Sequence, residues 1–374
     1  MAEWLGIVVF VVAILAVVLI HESGHFFTAK GFGIKVEEFF VGFGPRLWST
    51  RRGETEYGVK AFPLGGYVRI AGMNPFQETA PEELPRTFGA KPIWQRALVI
   101  LAGPATHFVM AVVFLIVFFS VLGAPTATKP QIDGVQQTLN GQPSPAAASG
   151  LRVGDQIVAI DGQPVGNIDR FISYTRAHVG QTLSITVLRN GQRVTVQAVP
   201  VLSTVDGKTV GRLGVILGEG RQRYNPVAAT GKAFVETGST TKAVVLQLGK
   251  VFGPSGLKRV GQLLVGTSPR RPTDPVSIVG GAQLAGEAVR AGLWDQLLGI
   301  LVVFNVFVGI LNLVPLPPLD GGHLAVLAYE KIRGRKPDVR KLVPLTTAVA
   351  GFIILLAVSL VYIDVTNPIP NPFR

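Results

Sequence analysis

Sixteen apolar or small residues, Leu5 to Ile20, run without a charge straight into His21-Glu22-Ser23-Gly24-His25. A stretch of that length and composition forms a bilayer-spanning helix, and it ends in polar residues where they are hardest to keep. An ionisable side chain at the bilayer centre costs about 2.5–3.5 kcal/mol, so three within five residues point to a purpose. Histidines four apart lie on one face of a helix, one turn apart, and both imidazoles can reach one metal ion. The glutamate between them is placed to act as general base on a water that the metal activates. His21 and His25 are therefore candidate metal ligands, and Glu22 is the candidate base.

Three further segments are long and apolar enough to cross a membrane. The predicted spans are Trp4 to Phe27, Ala97 to Gly123, Leu297 to Leu319 and Leu342 to Ile363. Composition agrees: 48% of the 374 residues are hydrophobic and only 16% charged, and the mean hydropathy is +0.41. That balance suits a membrane protein with a soluble insert. The chain has no cysteine, which excludes disulfides and thiolate ligands, so a bound zinc is held by nitrogen and oxygen. The first span has only Glu3 before it and no small-residue cleavage site after it, and it reads as uncleaved.

A net charge of +12 would also suit nucleic acid, but the basic residues gather beside apolar segments, from Lys30 to Arg96 and from Lys331 to Lys341. Juxtamembrane Lys and Arg mark cytoplasmic loops. The expected topology puts both loops in the cytoplasm and the 124–296 insert on the outer side of the membrane, with no nucleic-acid partner. Residues 226–265 carry Lys232, Glu236, Lys242, Lys250, Lys258 and Arg259, too many charges for a span, and are predicted as amphipathic helices. The proline-rich tail from Asn367 to Pro372 is expected to be non-helical.

Between the first two spans, Val36 to Ile70 is rich in glycine and aromatic residues, with a turn at Gly42-Phe43-Gly44-Pro45 and strand character at Tyr57 to Phe62. One or two hairpins dipping toward the metal motif are predicted there. Backbone of that kind is tolerated at membrane depth only when protein or a watery cavity covers it. In the insert, Pro125 to Gly218 reads as β-rich: a short helix with a glycine stop at Gly150, a strand Gln156 to Ile160, and strands Thr182 to Leu188 and Arg193 to Val199 about an Asn190-Gly191 turn. This segment, with Gly150-Leu151-Arg152-Val153-Gly154-Asp155-Gln156-Ile157 as its most telling piece, resembles a PDZ domain of the bacterial protease-associated kind. Such domains accept an extended peptide at a sheet edge, and a spacer without a ligand is the other reading.

A catalytic zinc site usually has three protein ligands. Asp320 is the carboxylate in the apolar stretch Asn312-Leu313-Val314-Pro315-Leu316-Pro317-Pro318-Leu319-Asp320-Gly321-Gly322, and counting about 1.5 Å per helical residue from the outer ends of the spans puts it at a depth compatible with His21. The competing reading is that Asp320 only caps a helix from Gly322 to Ile332. Taken together and in this order, the HExxH span, the Gly-Phe-Gly hairpin region, the PDZ-like insert and the Asn-x-x-Pro-x-Pro-x-Leu-Asp-Gly segment resemble the bacterial site-2 proteases, closest to actinobacterial members with one PDZ domain. The resemblance covers nearly the whole chain. It implies that His21, His25 and Asp320 bind Zn2+, that Glu22 is the base, and that Asn312 contacts the substrate or the developing oxyanion, with Gly42, Phe43 and Gly44 in the substrate region. Two positions depart from the family: His107 and Phe307 stand where asparagine is frequent, and Asn305 is a candidate to substitute in part. His107 and His178 are expected to be a packed and a surface residue, and His323 to stand behind the metal ligands or serve structure.

The expected fold class is a polytopic α-helical membrane protein with four transmembrane helices, membrane-associated β-hairpins and an inserted β-rich PDZ domain. The parts are 1–123, the first two spans with the hairpin region; 124–220, the PDZ-like domain; 221–293, the amphipathic linker helices; and 294–374, the last two spans. The implied activity is hydrolysis of peptide bonds inside single-span proteins such as anti-sigma factors, after an upstream site-1 type protease has trimmed them. The rival from another class is a non-catalytic PDZ membrane adaptor whose metal site is structural. It would need a fourth protein ligand, and His323 is the candidate.

Overall fold

The computed structural model describes residues 2–74, 80–205, 208–335 and 337–370. Helix α1 (Ala2–Gly31) leads into strands β1 (Val36–Arg52) and β2 (Thr55–Ile70), and short 3-10 turns connect them to α2 (Ile93–Val117), which runs on through one π turn to Leu122. Then come β3 (Ala124–Val135), β4 (Thr138–Leu139), β5 (Gln142–Pro143), α3 (Pro145–Ser149), β6 (Gln156–Ile160), β7 (Gln163–Pro164) and α4 (Ile168–Ala177). Strands β8 (Leu183–Arg189), β9 (Gln192–Ala198), β10 (Val201–Val205), β11 (Lys208–Arg212) and β12 (Val215–Gln222) follow. Helices α5 (Pro226–Phe252), α6 (Pro254–Leu264), α7 (Ile278–Arg290), α8 (Trp294–Leu313), α9 (Asp320–Arg333) and α10 (Val343–Thr366) complete the chain. It divides into two units, Met1–Ile116 with Thr230–Arg374, and Val117–Ala229.

Among the described residues four helices are long and apolar enough to cross a membrane: Glu3–Gly31, Ile93–Leu122, Trp294–Leu313 and Arg340–Thr366. The third stops six residues short of the predicted Leu319. Pro315 forces the residue before it out of helical backbone, and Val314 is extended at φ −61°, ψ 129°. The stretch 226–265 forms α5 and α6 and is not one of the four. Of the tail, Pro368 to Pro370 is non-helical, and 371–374 lie outside the described residues.

In the first unit the long helices are apolar on all sides, and the side chains facing outward include Val8, Val12, Phe27, Val113, Ile354 and Leu355. A helix with no polar face suits lipid. Without water to drive association, such helices need close backbone approach, and small residues supply it. A Cβ on Gly6 would lie 2.6 Å from the Ala285 carbonyl of α7, and one on Gly24 would lie 2.6 Å from the Ala102 carbonyl of α2. Phe10, Ala285, Val289, Leu297 and Leu301 form the core where α1, α7 and α8 meet. A fully buried ion pair, Arg270 to Asp364 at 2.6 Å, ties the segment before α7 to the end of α10. Asp364 also accepts the Ser277 backbone N–H at 2.6 Å.

The predicted hairpins are one pair of long antiparallel strands that folds back on itself. Phe39, Phe40 and Val41 stand opposite Val68, Tyr67 and Gly66 on one side and Tyr57, Gly58 and Val59 on the other. Arg46 to Arg52 then pair with Lys60 back to Thr55, so Gly66–Ile70 is one edge and Arg46–Arg52 the other. Ile34, Val36, Ile70, Phe88, Val99 and Ile100 form a core with Phe26 that seats the sheet against α1 and α2. The exposed side chains of the fold-back include Leu47, Trp48 and Phe62, an apolar rim suited to lipid contact.

The second unit is built on a sheet ordered β12-β3-β6-β8-β9, with β7 paired to β6. Ile132, Ile157, Phe171, Leu183 and Ile185 fill its core. The β8–β9 turn has Asn190 at φ 49° and Gly191 at φ 82°, the left-handed pair that a two-residue hairpin requires. Ser144 caps α3 by accepting the Ala147 N–H, and Gly150 ends it. The buried Asp155 carboxylate accepts the Arg152 backbone N–H at 2.9 Å and two bonds from the Arg189 guanidinium at 2.8 and 2.7 Å. Burial pushes its pKa up, but these donors outweigh burial and hold the carboxyl below its ordinary value.

Candidate active site

Helix α1 presents His21 and His25 one turn apart, and α9 brings Asp320 to them. The two histidine Nε2 atoms are 3.2 Å apart, and each lies 3.4 Å from Asp320 Oδ2. The three ligand atoms all fall within 4.8 Å of one another, and among the described residues no other His, Asp or Glu joins the group. Asp320 sits in the first turn of α9 and not before it; Leu319 occupies the cap position and no side chain caps the helix. Asp320 Oδ2 has no hydrogen-bond partner among the described residues.

Local sequence explains why the aspartate arrives there. A Cβ on Gly321 would overlap the Leu313 and Val314 carbonyls, and one on Gly322 would lie 2.5 Å from the Pro317 nitrogen. The two glycines therefore let the proline loop after α8 fold against the start of α9. At the other end, Glu330 receives a bidentate pair of bonds from Arg96 at 2.8 and 2.7 Å, which clamps α9 to the start of α2. Helix α2 also shapes the ligand side. His25 Nδ1 donates to the Val99 carbonyl at 2.8 Å, which leaves Nε2 as the free lone pair. Gly103 faces both rings: a Cβ there would overlap His25 Nε2 and lie 2.8 Å from His21 Cε1.

These donors fit a metal. Tetrahedral ligands about 2.0–2.2 Å from a zinc ion lie roughly 3.3–3.5 Å from one another, and the observed separations are 3.2, 3.4 and 3.4 Å. Three ligands leave one position open, as in catalytic sites. Glu22 turns toward the sheet, with its carboxylate beside the Val68 backbone. A Cβ on Gly66 would lie 3.4 Å from Glu22 Cγ, so the edge segment Gly66–Ile70 runs directly beside the base.

The other sequence candidates divide. Asn312 lies half-buried on the last turn of α8, eight residues before Asp320. Gly42 and Gly44 have φ of 84° and 86°, and Phe43 between them is 47% exposed with its ring stacked on Tyr67 at 6.2 Å. His107 is buried on α2, its Nδ1 3.3 Å from Asn305 Oδ1. His323 sits one turn beyond Asp320 and outside the ligand group, while His178 stacks on Tyr174 in the second unit. Sequence reasoning missed the Val99 carbonyl. Helix α2 runs through Gly103-Pro104, and the glycine makes room there for the imidazoles.

Comparison with known proteins bears on this geometry. The profile described as Peptidase family M50 matches residues 9–358. The chain belongs to that family. The chain is similar to zinc metalloprotease Rip1 of Mycobacterium tuberculosis, 36% identical over 407 aligned residues that cover 99% of this chain and 98% of that protein. The same enzyme of Mycolicibacterium smegmatis is 37% identical over 409 residues, covering 98% of each. Among solved structures, the PDZ domain of an SdrC-like protein from Listeria innocua aligns with 26% of this chain and 99% of its own at 24% identity. Its TM-score of 0.20 is too low to bear on the fold.

Proposed function

We propose that this M50 zinc metalloprotease cleaves peptide bonds within membrane-spanning segments, with His21, His25 and Asp320 holding the zinc and Glu22 as the base. The observation that carries the reading is the convergence of three ligand atoms at 3.2 to 3.4 Å beside a glutamate on the same helix. When bound, zinc supplies a Lewis acid that polarises the scissile carbonyl and lowers the pKa of water toward about 7. Glu22 takes the proton of the attacking water as its oxygen bonds to the carbonyl carbon. It returns that proton to the amide nitrogen as the C–N bond breaks. The sheet edge beside Glu22 confines the base, and the Asn312 amide is assigned to the developing oxyanion.

A helical substrate shields its carbonyls in its own hydrogen bonds and has to unwind first. The Gly66–Ile70 edge beside Glu22 offers backbone groups for an extended segment by strand addition, with Gly42, Phe43 and Gly44 in the adjoining fold-back. The substrates are single-span membrane proteins of the anti-sigma factor type, trimmed beforehand by a site-1 type protease. Basic loops on the cytoplasmic side orient residues 124–296 outward, and the PDZ-like unit there excludes substrates that still carry a bulky external domain. A structural metal site in an adaptor would use four protein ligands and no neighbouring base; the three-ligand group with Glu22 beside it favours catalysis.

The test uses one single-span substrate in trimmed and untrimmed forms, with the cut located by mass spectrometry. The expected result is a cut inside the trimmed span, lost on chelation, none in the untrimmed form, and cleavage of both once residues 127–202 are deleted. A cut confined to flanking loops would overturn the intramembrane reading, and continued rejection of the untrimmed form by the deletion variant would overturn the gate.

A further inference from the structure

Two buried imidazole nitrogens on neighbouring rings have no hydrogen-bond partner among the described residues: His21 Nδ1 and His107 Nε2. Their rings are 5.0 Å apart between centroids and tilted by 40°. His107 is 1% exposed and Asn305 is fully buried. A buried polar atom without a partner is rare and calls for an explanation.

The surrounding bonds fix which nitrogen carries a proton. Asn305 Nδ2 donates to the Leu301 carbonyl at 2.9 Å, so the amide oxygen is the atom that faces His107. That oxygen only accepts, and His107 Nδ1, 3.3 Å away, must donate to it. In a neutral imidazole this leaves Nε2 as a bare acceptor. His21 is the converse. If its Nε2 faces the metal, as the proposed ligand set requires, its Nδ1 carries the proton and is a donor. The site thus holds one unpartnered donor and one unpartnered acceptor on neighbouring rings. Two imidazoles joined edge to edge by one N–H···N bond of about 3 Å have centroids about 5 Å apart.

We infer that His107 is the positioning residue for His21, with its Nε2 poised to accept the His21 Nδ1–H when the metal is bound, while Asn305 and the Leu301 carbonyl hold His107 in the tautomer that can do so. The relay runs Leu301 carbonyl, Asn305, His107, His21, and ends at the metal. It matches on His21 what the Val99 carbonyl does for His25. Metal-bound histidines need such an acceptor to fix ring orientation and raise ligand basicity, and its loss typically lowers metal affinity about 10- to 100-fold. The inference rests on the proposed role of His21 as a ligand.

Gln and Met have nearly the same shape, but only Gln offers an acceptor oxygen, which makes the two substitutions at His107 a direct test. Zinc affinity of the full chain, by competition with a chromophoric chelator, is to be compared for wild type, His21→Ala, His107→Gln and His107→Met, with thermal unfolding as a check on folding. The expected result is loss of zinc in His21→Ala, an affinity about 10- to 100-fold weaker in His107→Met, and recovery of most of it in His107→Gln. Equal affinities for the Gln and Met variants, or a Met variant as tight as wild type, would overturn the role of His107 while leaving His21 a ligand. Unaltered affinity in His21→Ala would instead overturn the ligand assignment, and the relay with it.

Discussion

At the scale of single residues, the metal group is one helical repeat on α1, His21 and His25, completed by the Asp320 carboxylate of α9 and held by contacts that cross long stretches of chain. Val99 reaches His25 across 74 residues and Asn305 reaches His107 across 198, and no local pattern encodes a contact of that range. Gly103 carries a signal that was visible but ambiguous, since a glycine beside a proline in a helix reads as a bend as readily as a place for a ring. The structure gives it a sharp consequence. Gly103→Ala puts a methyl group onto His25 Nε2 and against His21, and is expected to abolish zinc binding, measured by metal content after dialysis. Gly299→Ala, where a Cβ meets nothing within 4 Å, is the matched control and should retain the metal.

At the scale of elements, apolar run length located the four helices that are long and apolar enough to cross a membrane among the described residues, yet the third was overrun because prolines after Leu313 are as compatible with an apolar segment as with a helix end. The hairpins were foreseen from glycine and aromatic content. Their register was not, because Phe39 to Val41 pair on both sides at once, and period-two patterning cannot choose between two partners. Placement of Asp320 depends on α9, and α9 is clamped to α2 by the Arg96–Glu330 pair, whose side chains are 7% and 13% exposed. Removing one partner of a buried pair leaves an uncompensated charge and costs about 3–5 kcal/mol. Arg96→Met is therefore expected to lower the unfolding temperature and to weaken zinc binding together, whereas the double variant Arg96→Met with Glu330→Met should regain much of the stability. Thermal unfolding followed by circular dichroism, with metal content, separates the two cases.

At the scale of the whole molecule, the chain combines a helical unit that carries long apolar helices with a β-rich unit built on one main sheet. The long apolar runs all fall outside residues 124–229, and that contrast separates the two parts in the sequence. Within the insert, turn chemistry fixed the strands about Asn190-Gly191 closely, but the return of β12 to pair with β3 joins residues some 80–98 positions apart and left no mark in the sequence. The insert also has its own acid sensitivity. The Asp155 carboxyl lies below its ordinary value in the folded unit, so the stability it contributes is fully present above an unfolded pKa of about 3.9 and is lost as pH falls through the lower folded value. Hydrogen exchange of β6 and β8 in the full chain should show wild type better protected than Asp155→Asn near neutral pH, with the difference narrowing toward pH 3. A difference that stays constant over that range would assign the effect to packing.

The most direct measurement is zinc content and cleavage of a trimmed single-span substrate by wild type and Glu22→Gln, purified side by side in detergent. The Gln side chain keeps the shape of Glu22 but cannot take a proton, and a general base is worth about 10²–10⁴-fold in rate. The expected result is equal zinc in the two proteins, with cleavage by Glu22→Gln reduced by at least about 10²-fold. Equal cleavage by both would contradict the assignment of Glu22 as the base.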